Sequence, residues 1–367
     1  MLVRIFHFPV EKLFSTAGIT VNGSEPWDIR VADDRFYWEV LRNGSLGLGE
    51  SYMQGYWKTD ALEELFFRLT SSNLERISQH LPTQLVYRYG SRLFNRQTPT
   101  RARHNAGYHY NLGNDLFFEF LGRYKNYSCG YFRGVDSLDE AQVAKMRRLC
   151  ELLELNESDT LLDVGGGWGE FARFAAQHSG CHVTSINISE SQISHARDYC
   201  KGANVDVVRS DYRELSGRYT KIAAVAMFTH VGRKNYRRFM ETMHNLLEPG
   251  GKMVMETVGA PTATDCCEPW TNKYIFPGGT IPCITQIDEA CRGLFKRSTI
   301  EEFGGDYVLT LRHWHRLFTA AWPRLSERYS ERIRLMFEYF FLSVAGAFRS
   351  GDLLHYHLGF SRTGSDG

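Results

Sequence analysis

The feature that most constrains the fold is a regular alternation of apolar and amphipathic segments between residues 160 and 259. The apolar segments are short enough for buried strands, and they read DTLLDV, HVTSINI, VDVVRSDY, KIAAVAMF and KMVMETV. The segments between them have helical spacing, and the joints are short. This alternation predicts an α/β fold with a parallel sheet that carries helices on both faces.

A glycine loop, GGGWG at 165–169, follows the first predicted strand and opens a helix. Glycine lets the backbone approach a ligand closely, and the N-terminus of a helix offers free N–H groups. The G-x-G-x-G spacing after Asp163 differs from the dinucleotide fingerprint, which also requires an acidic residue about 20 positions further on. Asn187 and Ser189 stand there instead, with Glu190 just beyond them. Asn187 is still able to bind ribose hydroxyls.

Two more features favour S-adenosylmethionine (SAM) over NAD as the ligand of this loop. Asp211 and Tyr212, after the third strand, offer a hydrogen-bond acceptor and an aromatic face for an adenine. The EPGG turn at 248–251 is similar to the turn before the fifth strand of SAM methyltransferases. We therefore predict a SAM site at the carboxyl ends of these strands.

Composition excludes several classes of function. Lys and Arg number 43 against 42 Asp and Glu, so no net field attracts nucleic acid. The 8 cysteines form no C-x-x-C pair, which argues against a metal site and favours reduced thiols in a cytosolic protein. The sequence has no run of about 18 apolar residues, so we expect a protein that is soluble or at most peripheral to a membrane.

The chain of 367 residues is long enough for two domains. Residues 1–100 mix helical spacing with a Gly-rich stretch at 43–57, and we expect a small helical domain there. The polar and basic segment 95–105 is typical of a linker. We expect the catalytic domain over 101–367, in which 300–367 has mainly helical spacing.

Several long motifs resemble those of cyclopropane-fatty-acid synthases, which use SAM to add a methylene across a cis double bond of a phospholipid acyl chain. The motifs cover nearly the whole chain and include HYNLGNDLFFEFLG (109–122), NYSCGYF (126–132), VGRKNY (231–236), EPWTNKYIFPGGTIP (268–282) and AGAFRSGD (345–352). The resemblance implies an N-terminal helical domain that contacts lipid, and a Rossmann-like class I SAM methyltransferase domain. It also implies unsaturated phospholipid acyl chains as substrate, attachment to the cytoplasmic face of the inner membrane, and a homodimer as a candidate assembly.

By motif match, the resemblance implies a SAM site lined by Tyr127, Ser128, Gly165, Asn187, Gln192, Tyr212 and Arg213. We also assign Asp163, Gly167 and Asp211 to this site, because they lie in the glycine loop or at the ends of the predicted strands. Asn187 stands where the family has Thr, and Gly166 stands where it has Cys. Both residues are small, so we expect SAM binding to survive.

The reaction that the resemblance implies requires a base. An alkene is a poor nucleophile, so the sulfonium methyl must be held in line with it in a water-free pocket. Transfer leaves a carbocation, which aromatic faces stabilise. Removal of a proton from the new methyl group closes a cyclopropane, whereas removal from the chain leaves a methyl-branched or methylene-bearing alkene. The position of the base therefore decides the product.

In the family, the base is a bicarbonate held by a Cys, a Glu, a His, an Ile backbone and a Tyr. Cys129 matches the first residue, and Val258 is a mild replacement for the Ile. Thr229 stands in place of the Glu, Glu256 in place of the His, and Trp314 in place of the Tyr. Thr229 is unable to relay protons as Glu would, and Trp314 donates only through its indole N–H. A carboxylate at Glu256 would repel bicarbonate.

We expect that no bicarbonate binds and that Glu256 itself is the base, with a pKa raised by an apolar pocket. Other interpretations remain open at this point. Glu256 would be an ionised partner of a nearby Arg or Lys if the chain were a non-catalytic SAM- or lipid-binding paralogue. A base in a different position would give a methyl-branched or methyl-shifted product. A small amine or a natural-product alkene is a further candidate for the substrate. His230 is expected to support the site, and Cys129 to form part of the pocket wall.

Overall fold

The computed structural model describes residues 7–72, 97–98, 101, 113–264 and 267–363. Most of the predicted linker at 95–105 and the start of the motif at 109–122 lie outside these residues. The statements below concern the part of the chain that the structure describes.

The described helices are α1 (His7–Ser15), α2 (Arg35–Asn43), α3 (Ser45–Met53), α4 (Leu62–Ser71), α5 (Asn114–Phe120), α6 (Leu138–Leu153), α7 (Glu170–Ser179), α8 (Glu190–Tyr199), α9 (Tyr236–Leu246), α10 (Pro269–Tyr274), α11 (Ile284–Cys291), α12 (Gly304–Leu325) and α13 (Glu331–Arg349). The described strands are β1 (Arg30–Val31), β2 (Trp57–Lys58), β3 (Thr160–Val164), β4 (His182–Asn187), β5 (Val205–Arg209), β6 (Tyr219–Val225), β7 (Leu247–Gly259), β8 (Phe295–Glu302) and β9 (Leu354–Arg362).

Two compact units divide the chain. Unit one comprises Met1–Phe94, Asp265–Pro277 and Tyr307–Leu353, and unit two comprises Asn95–Thr264, Gly278–Asp306 and Leu354–Gly367. The segments 265–277 and 307–353 of unit one lie inside the range 101–367, which the sequence assigned to the catalytic domain.

Contacts between residues far apart in the sequence hold unit one together. Glu63 on α4 binds Arg312 on α12 at 2.6 Å and Arg349 on α13 at 3.0 Å. These partners are 249 and 286 positions from Glu63. The ring of Trp270 on α10 lies 4.5 Å from that of Tyr339 on α13. Because local spacing carries no sign of such pairings, the extent of this unit was not visible in the sequence.

Unit two is built on a seven-stranded sheet with the order β5-β4-β3-β6-β7-β9-β8. The pairings from β5 to β7 are parallel, and β9 runs antiparallel to both β7 and β8. The strand order reverses between β3 and β6, which is where open α/β sheets bind ligands at the carboxyl ends of their strands. The predicted α/β fold, with all of its parallel strands, is confirmed.

Side chains of the sheet alternate between two apolar layers. On β7, Met253 and Met255 belong to one layer, and Val254 belongs to the other, which α6 and α7 cover. Successive side chains of a strand point to opposite faces. Glu256, two positions after Val254, therefore points toward the layer that contains α6.

The C-terminal region differs from its predicted, mainly helical character. Helices α12 and α13 are present, but Leu354–Arg362 forms β9 between β7 and β8. The segment HYHLGF (355–360) is held extended because it pairs along both of its edges. The backbone pairing overrides the weak helical pattern of this segment.

Candidate active site

The glycine loop turns tightly at the carboxyl end of β3. Gly165, Gly167 and Gly169 have φ angles of 85°, 54° and 94°, a region that favours glycine. No atom of the described residues lies within 4 Å of the position that a Cβ of Gly167 would take. A ligand is therefore able to approach the backbone there, and the first turn of α7 adds free N–H groups. These features fit the predicted SAM.

Asp163 lies beneath this loop. Its Oδ2 accepts a hydrogen bond from the Ser185 hydroxyl at 2.9 Å, and burial raises its pKa to about 6. A Cβ on Gly166 would collide with Ser185 Oγ. Ser185 therefore fills the space that a side chain at position 166 would need, which explains the glycine there.

Asn187, at the carboxyl end of β4, links the glycine loop to α8. Its Nδ2 donates to the Gly167 carbonyl at 3.2 Å and to Gln192 Oε1 at 2.9 Å. Its Oδ1 accepts from the backbone N–H groups of Ile188 and Ser189. Both the nitrogen and the oxygen of this amide are therefore hydrogen-bonded. Three residues predicted to bind SAM lie together here, namely Gly167, Asn187 and Gln192.

Asp211 and Arg213 form a buried ion pair after β5. Arg213 Nη2 lies 2.6 Å from Asp211 Oδ2, and Arg213 Nε lies 2.8 Å from Oδ1. Arg213 also donates to the Gln97 carbonyl at 3.1 Å. Tyr212, between them, is buried and packs edge-on against Phe239 at 5.1 Å. The predicted acceptor for adenine is therefore already bound by Arg213 on both oxygens.

Ser128 is held by two buried polar side chains of α6. Lys145 Nζ donates to Ser128 Oγ at 2.5 Å, and Gln142 Nε2 donates to the Ser128 carbonyl at 2.9 Å. The neighbouring Tyr127 stands edge-on to Phe117, with 5.4 Å between the ring centroids. The NYSCGYF segment is fixed in this way beside Lys145, a buried cation that was not predicted from the sequence.

Glu256 lies on β7 in a cluster of buried ionisable groups. Its side chain is 0% exposed, with Oε1 3.2 Å from His355 Nε2 and Oε2 3.4 Å from His357 Nε2. Burial raises the pKa of Glu256, but the attraction of Lys145 and the interactions with both histidines outweigh burial and lower the pKa overall. The expectation that an apolar pocket raises the pKa of Glu256 is therefore wrong. The buried Lys145 attracts this carboxylate, which fits the open interpretation of Glu256 as the ionised partner of a nearby Lys.

The partners of Glu256 differ in their tendency to carry charge. Burial lowers the pKa of Lys145 and that of His355, against the opposing attraction of Glu256. Burial also acts to lower the pKa of His357, but Glu256 and Glu301 on either side outweigh it and raise the pKa. His357 is therefore the imidazole that the cluster favours in its charged form.

Thr229 and His230 lie in the 3₁₀ turn Phe228–His230, directly after β6. Thr229 accepts a backbone hydrogen bond from Thr280 at 2.9 Å through its carbonyl. Burial lowers the pKa of His230 to about 4, so its imidazole is neutral near pH 7. A neutral imidazole in this turn fits the supporting role predicted for His230.

Cys129 and Val258 lie in the same unit as Glu256. Cys129 is fully buried beside Ser128, and its thiol donates to the Gly130 carbonyl at 3.1 Å. Val258 is the backbone partner of His355, and its carbonyl accepts from the Thr257 hydroxyl at 3.0 Å. Trp314 belongs to unit one, where its ring packs 6.2 Å from that of Phe341.

Four members of the ionisable cluster were not predicted from the sequence, namely Lys145, Glu301, His355 and His357. The available signal was HYHLGF, in which the two histidines are two positions apart and share one face if the segment is a strand. Among the described residues, no group of His, Cys, Asp and Glu has a geometry that would hold a metal ion.

The fold and the glycine loop are those of the Rossmann-like class I SAM methyltransferases. Solved structures of that fold are similar. Mycolic acid cyclopropane synthase CmaA1, complexed with SAH and CTAB, superposes with a TM-score of 0.66 at 24% identity, over 71% of this chain and 98% of that chain. Coclaurine N-methyltransferase, bound to N-methylheliamine and SAH, superposes with a TM-score of 0.68 at 19% identity, over 85% and 98%.

The family follows from similarity in sequence. Residues 97–358 match the family model of mycolic acid cyclopropane synthetase. The chain is 40% identical to the cyclopropane-fatty-acyl-phospholipid synthase of Escherichia coli (strain K12) over 351 residues, which cover 96% of this chain and 92% of that protein. It is 30% identical to the tuberculostearic acid methyltransferase UfaA1 of Mycobacterium tuberculosis, over 95% and 86%. The chain belongs to the mycolic acid cyclopropane synthetase family, and SAM is its cofactor.

Proposed function

We propose that this protein transfers the methyl group of SAM to a cis double bond of a phospholipid acyl chain and closes a cyclopropane ring. The observation that carries the proposal is a SAM-type glycine loop and a buried carboxylate, Glu256, on the same sheet. The 40% identity to the Escherichia coli cyclopropane-fatty-acyl-phospholipid synthase over 96% of the chain supports the substrate class.

The residues that would hold SAM are those of the loop and of the neighbouring strand ends, namely Gly165, Gly167, Asn187, Gln192, Tyr212 and Arg213. Bound there, SAM supplies an electrophilic methyl group. The open space at Gly167 admits the ligand to the backbone, and the fixed amide of Asn187 sets one wall of the site. Preorganised groups of this kind orient the reactants without further loss of freedom.

Glu256 is the base in this proposal. Its lowered pKa keeps the carboxylate ionised near pH 7, which is the form that accepts a proton. A carbocation is a strong acid, so a carboxylate of low basicity is sufficient. Lys145 binds Ser128, which is predicted to line the SAM site, and it also attracts Glu256. These two interactions support the proposal that Glu256 lies beside the SAM site.

Bicarbonate fits this cluster poorly. Glu256 already places a negative charge beside Lys145 and His357, and Glu301 places a second one beside His357. A second anion would lie close to a buried carboxylate, and like charges oppose each other most strongly where water is excluded. Glu256 therefore takes the place of bicarbonate in the proposed reaction.

The test is an incubation with SAM that carries a trideuterated methyl group and with vesicles of unsaturated phospholipid. Ring closure removes one deuterium from the new methyl group, so the acyl chains would retain two deuterium atoms and lose their double bond. Mass spectrometry of the released chains, with ozonolysis for the double bond, measures both. Formation of no labelled lipid would contradict the proposal and favour the non-catalytic paralogue.

A methyl-branched product is the second candidate. The observation that favours it is the position of the carboxylate, since Glu256 belongs to β7 and is fixed by its neighbours on β9. A fixed base that faces the chain would remove a chain proton. All three deuterium atoms would then remain in the lipid, together with a double bond.

We also infer that unit one contacts the surface of a membrane, at the cytoplasmic face of the inner membrane. The aromatic side chains of Phe8 on α1 and Trp38 on α2 are 69% and 47% exposed, and exposed aromatics are enriched at membrane interfaces. No described helix is both long and apolar enough to span a membrane. Flotation of the Phe8→Ala, Trp38→Ala variant with anionic vesicles tests this contact, and binding equal to that of the wild type would contradict it. The homodimer remains a prediction, which light scattering would measure.

A further inference from the structure

The two oxygens of the Glu256 carboxylate have different surroundings. Oε1 is hydrogen-bonded to His355 Nε2, at a distance of 3.2 Å. Oε2 is buried, and none of the residues that the structure describes makes a hydrogen bond to it. His357 Nε2 lies 3.4 Å from Oε2 but is not hydrogen-bonded to it. One oxygen is therefore already engaged, and the other keeps its lone pairs for a proton.

The strand register places the imidazole of His355 on the same face of the sheet as Glu256. In the antiparallel pairing of β7 and β9, His357 is opposite Glu256 and His355 is opposite Val258. Residues two positions apart on a strand share a face, so His355 is a diagonal neighbour of Glu256. The two imidazoles approach the carboxylate from different positions along β9, and His355 is the one that is hydrogen-bonded to it.

The imidazole of His355 is itself held in place. Its side chain is 1% exposed. The ring of Phe303 stands nearly perpendicular to it, with 4.7 Å between the ring centroids. The Phe303 N–H also donates to the His355 carbonyl at 3.0 Å. Because the ring is fixed, its hydrogen bond fixes the orientation of the carboxylate as well.

The hydrogen bond also defines the tautomer of His355. Burial lowers the pKa of His355, against the opposing attraction of Glu256, so the ring is neutral near pH 7. The lowered pKa of Glu256 keeps its carboxylate ionised, and an ionised carboxylate only accepts hydrogen bonds. The proton of the neutral ring is therefore on Nε2, from which it is donated to Oε1.

The carboxylate lies close to the glycine loop, at the carboxyl end of the parallel strands. Glu256 and Val225 form the last pair of the β6–β7 register, and the Glu256 carbonyl accepts from the Ala226 N–H at 3.0 Å. Met227, the next residue, packs against the loop, since a Cβ on Gly165 would lie 2.9 Å from its Cγ. Two residues after β6 therefore connect Glu256 to the loop that we propose to hold SAM.

In the proposed reaction, the position of the accepting oxygen decides which C–H bond breaks. Methyl transfer forms a C–C bond, converts the sulfonium to a thioether and leaves a carbocation on the chain. If a C–H bond of the new methyl group breaks, its electron pair closes the ring. If a C–H bond of the neighbouring chain carbon breaks, its electron pair forms a double bond. The proton goes to Glu256 in both cases, and an oxygen held in one position reaches only one of these hydrogens.

We propose that His355 is a positioning residue that holds Oε1 of Glu256, directs Oε2 to the reacting carbons and thereby confines the reaction to one product. The terminal torsion of a Glu side chain is broad and roughly two-fold. Without the hydrogen bond, the carboxylate would turn and offer its oxygens in several directions. His355 acts through Glu256 and not on the substrate. This proposal rests on the function proposed above.

The test compares the products of the wild type and of His355→Leu in the full chain, with trideuterated SAM and vesicles of unsaturated phospholipid. Ring closure leaves two deuterium atoms in the lipid, whereas loss of a chain proton leaves three. We expect the wild type to form mainly one product. In His355→Leu, the ratio of minor to major product should rise about tenfold, the factor that a hydrogen bond to a charged group carries. The ratio is set within each turnover, so incomplete folding does not change it.

Two further variants separate the hydrogen bond from the packing of β9. His355→Gln keeps an N–H donor of similar reach, so its product ratio should stay within about threefold of the wild type. Tyr356→Phe is the matched control, because Tyr356 is the next residue of β9 and belongs to the opposite apolar layer. We expect the product ratio of Tyr356→Phe to equal that of the wild type.

Three results would overturn the role of His355. These are a wild type that forms both products in comparable amounts, a His355→Leu variant with the wild-type ratio, and a His355→Gln variant that mixes the products as much as His355→Leu does. If the wild type forms no labelled lipid, the proposed function fails, and the role of His355 fails with it. One product from the wild type and an unchanged ratio in His355→Leu count against His355 alone.

A second measurement does not depend on turnover. Histidine-selective ¹⁵N NMR distinguishes the two neutral tautomers, and the signal of His355 is the one that His355→Gln lacks. We expect the tautomer with its proton on Nε2 near pH 7. A proton on Nδ1 alone would leave Nε2 unable to donate to Glu256 and would overturn the proposal, whether or not His355→Leu is active.

Discussion

The two halves of the sheet in unit two hold their polar groups in different ways. At the β3–β4–β5 half, partners are close in the sequence, as for Asn187 with Gln192 and Asp211 with Arg213, five and two positions apart. At the β7–β9–β8 half, Glu256 meets His355, which is 99 positions away. The half that we propose to hold SAM is therefore built from local motifs, and the half that we propose to hold the base is built by strand register. Substitutions in the two halves should affect binding and turnover separately.

Glu256→Gln should have the largest effect on turnover. The amide is unable to accept the proton, so the rate of product formation should fall about 10²–10⁴-fold. SAM binding, measured by calorimetry, should stay within about twofold of the wild type, because none of the residues proposed to hold SAM is changed.

The loss must not reflect unfolding, so thermal melting of Glu256→Gln should accompany the assay. If the variant is folded and keeps more than about a tenth of the wild-type rate, Glu256 is not the base.

Lys145→Met should have the next largest effect, on the free energy of unfolding. Lys145 is a fully buried cation that attracts Glu256, and loss of a charge that compensates a buried carboxylate costs up to about 3–5 kcal/mol. Lys252→Met is the control, since Lys252 pairs with Glu154 at the surface and should change the unfolding free energy little. Urea denaturation compares the two variants, and equal effects would contradict a stabilising attraction between Lys145 and Glu256.

The Lys145→Met substitution should also change the pH dependence of turnover. Glu256 must be ionised to act, so turnover is lost as the pH falls through its pKa. Lys145 lowers that pKa, and its removal should raise it. The acid limb of the rate profile of Lys145→Met should therefore move to higher pH, and a limb that stays in place would contradict the coupling.

The difference between the two halves also explains what the sequence was able to predict. The parallel strands, the glycine loop and the position of Asn187 at the end of the second strand follow from contiguous motifs, so they were predicted. The cluster around Glu256 depends on the register that sets His357 opposite it, and no single segment encodes that register. The strand β9 was missed, so the donors that lower the pKa of Glu256 were missed with it.

Asn187→Ala should weaken SAM binding about tenfold. The variant removes the amide that joins the Gly167 carbonyl to Gln192, and each net hydrogen bond is worth about 1 kcal/mol. At saturating SAM, turnover should approach that of the wild type, because the base half is intact. A large loss of turnover at saturation would show that the two halves are not separable.

His230→Gln should have the smallest effect. Its pKa of about 4 leaves the imidazole neutral near pH 7, and a supporting side chain is replaceable by a polar one. Turnover should stay within about threefold of the wild type. A loss above about a hundredfold, together with an altered pH profile, would give His230 the role that we assign to Glu256.

Steady-state turnover of the wild type in buffer stripped of carbon dioxide and bicarbonate, compared with buffer that contains added bicarbonate, shows whether Glu256 replaces bicarbonate as the base. Glu256 takes the place of the bicarbonate in our account, so the two rates should be equal. A rate that falls on depletion and returns with added bicarbonate would contradict the account.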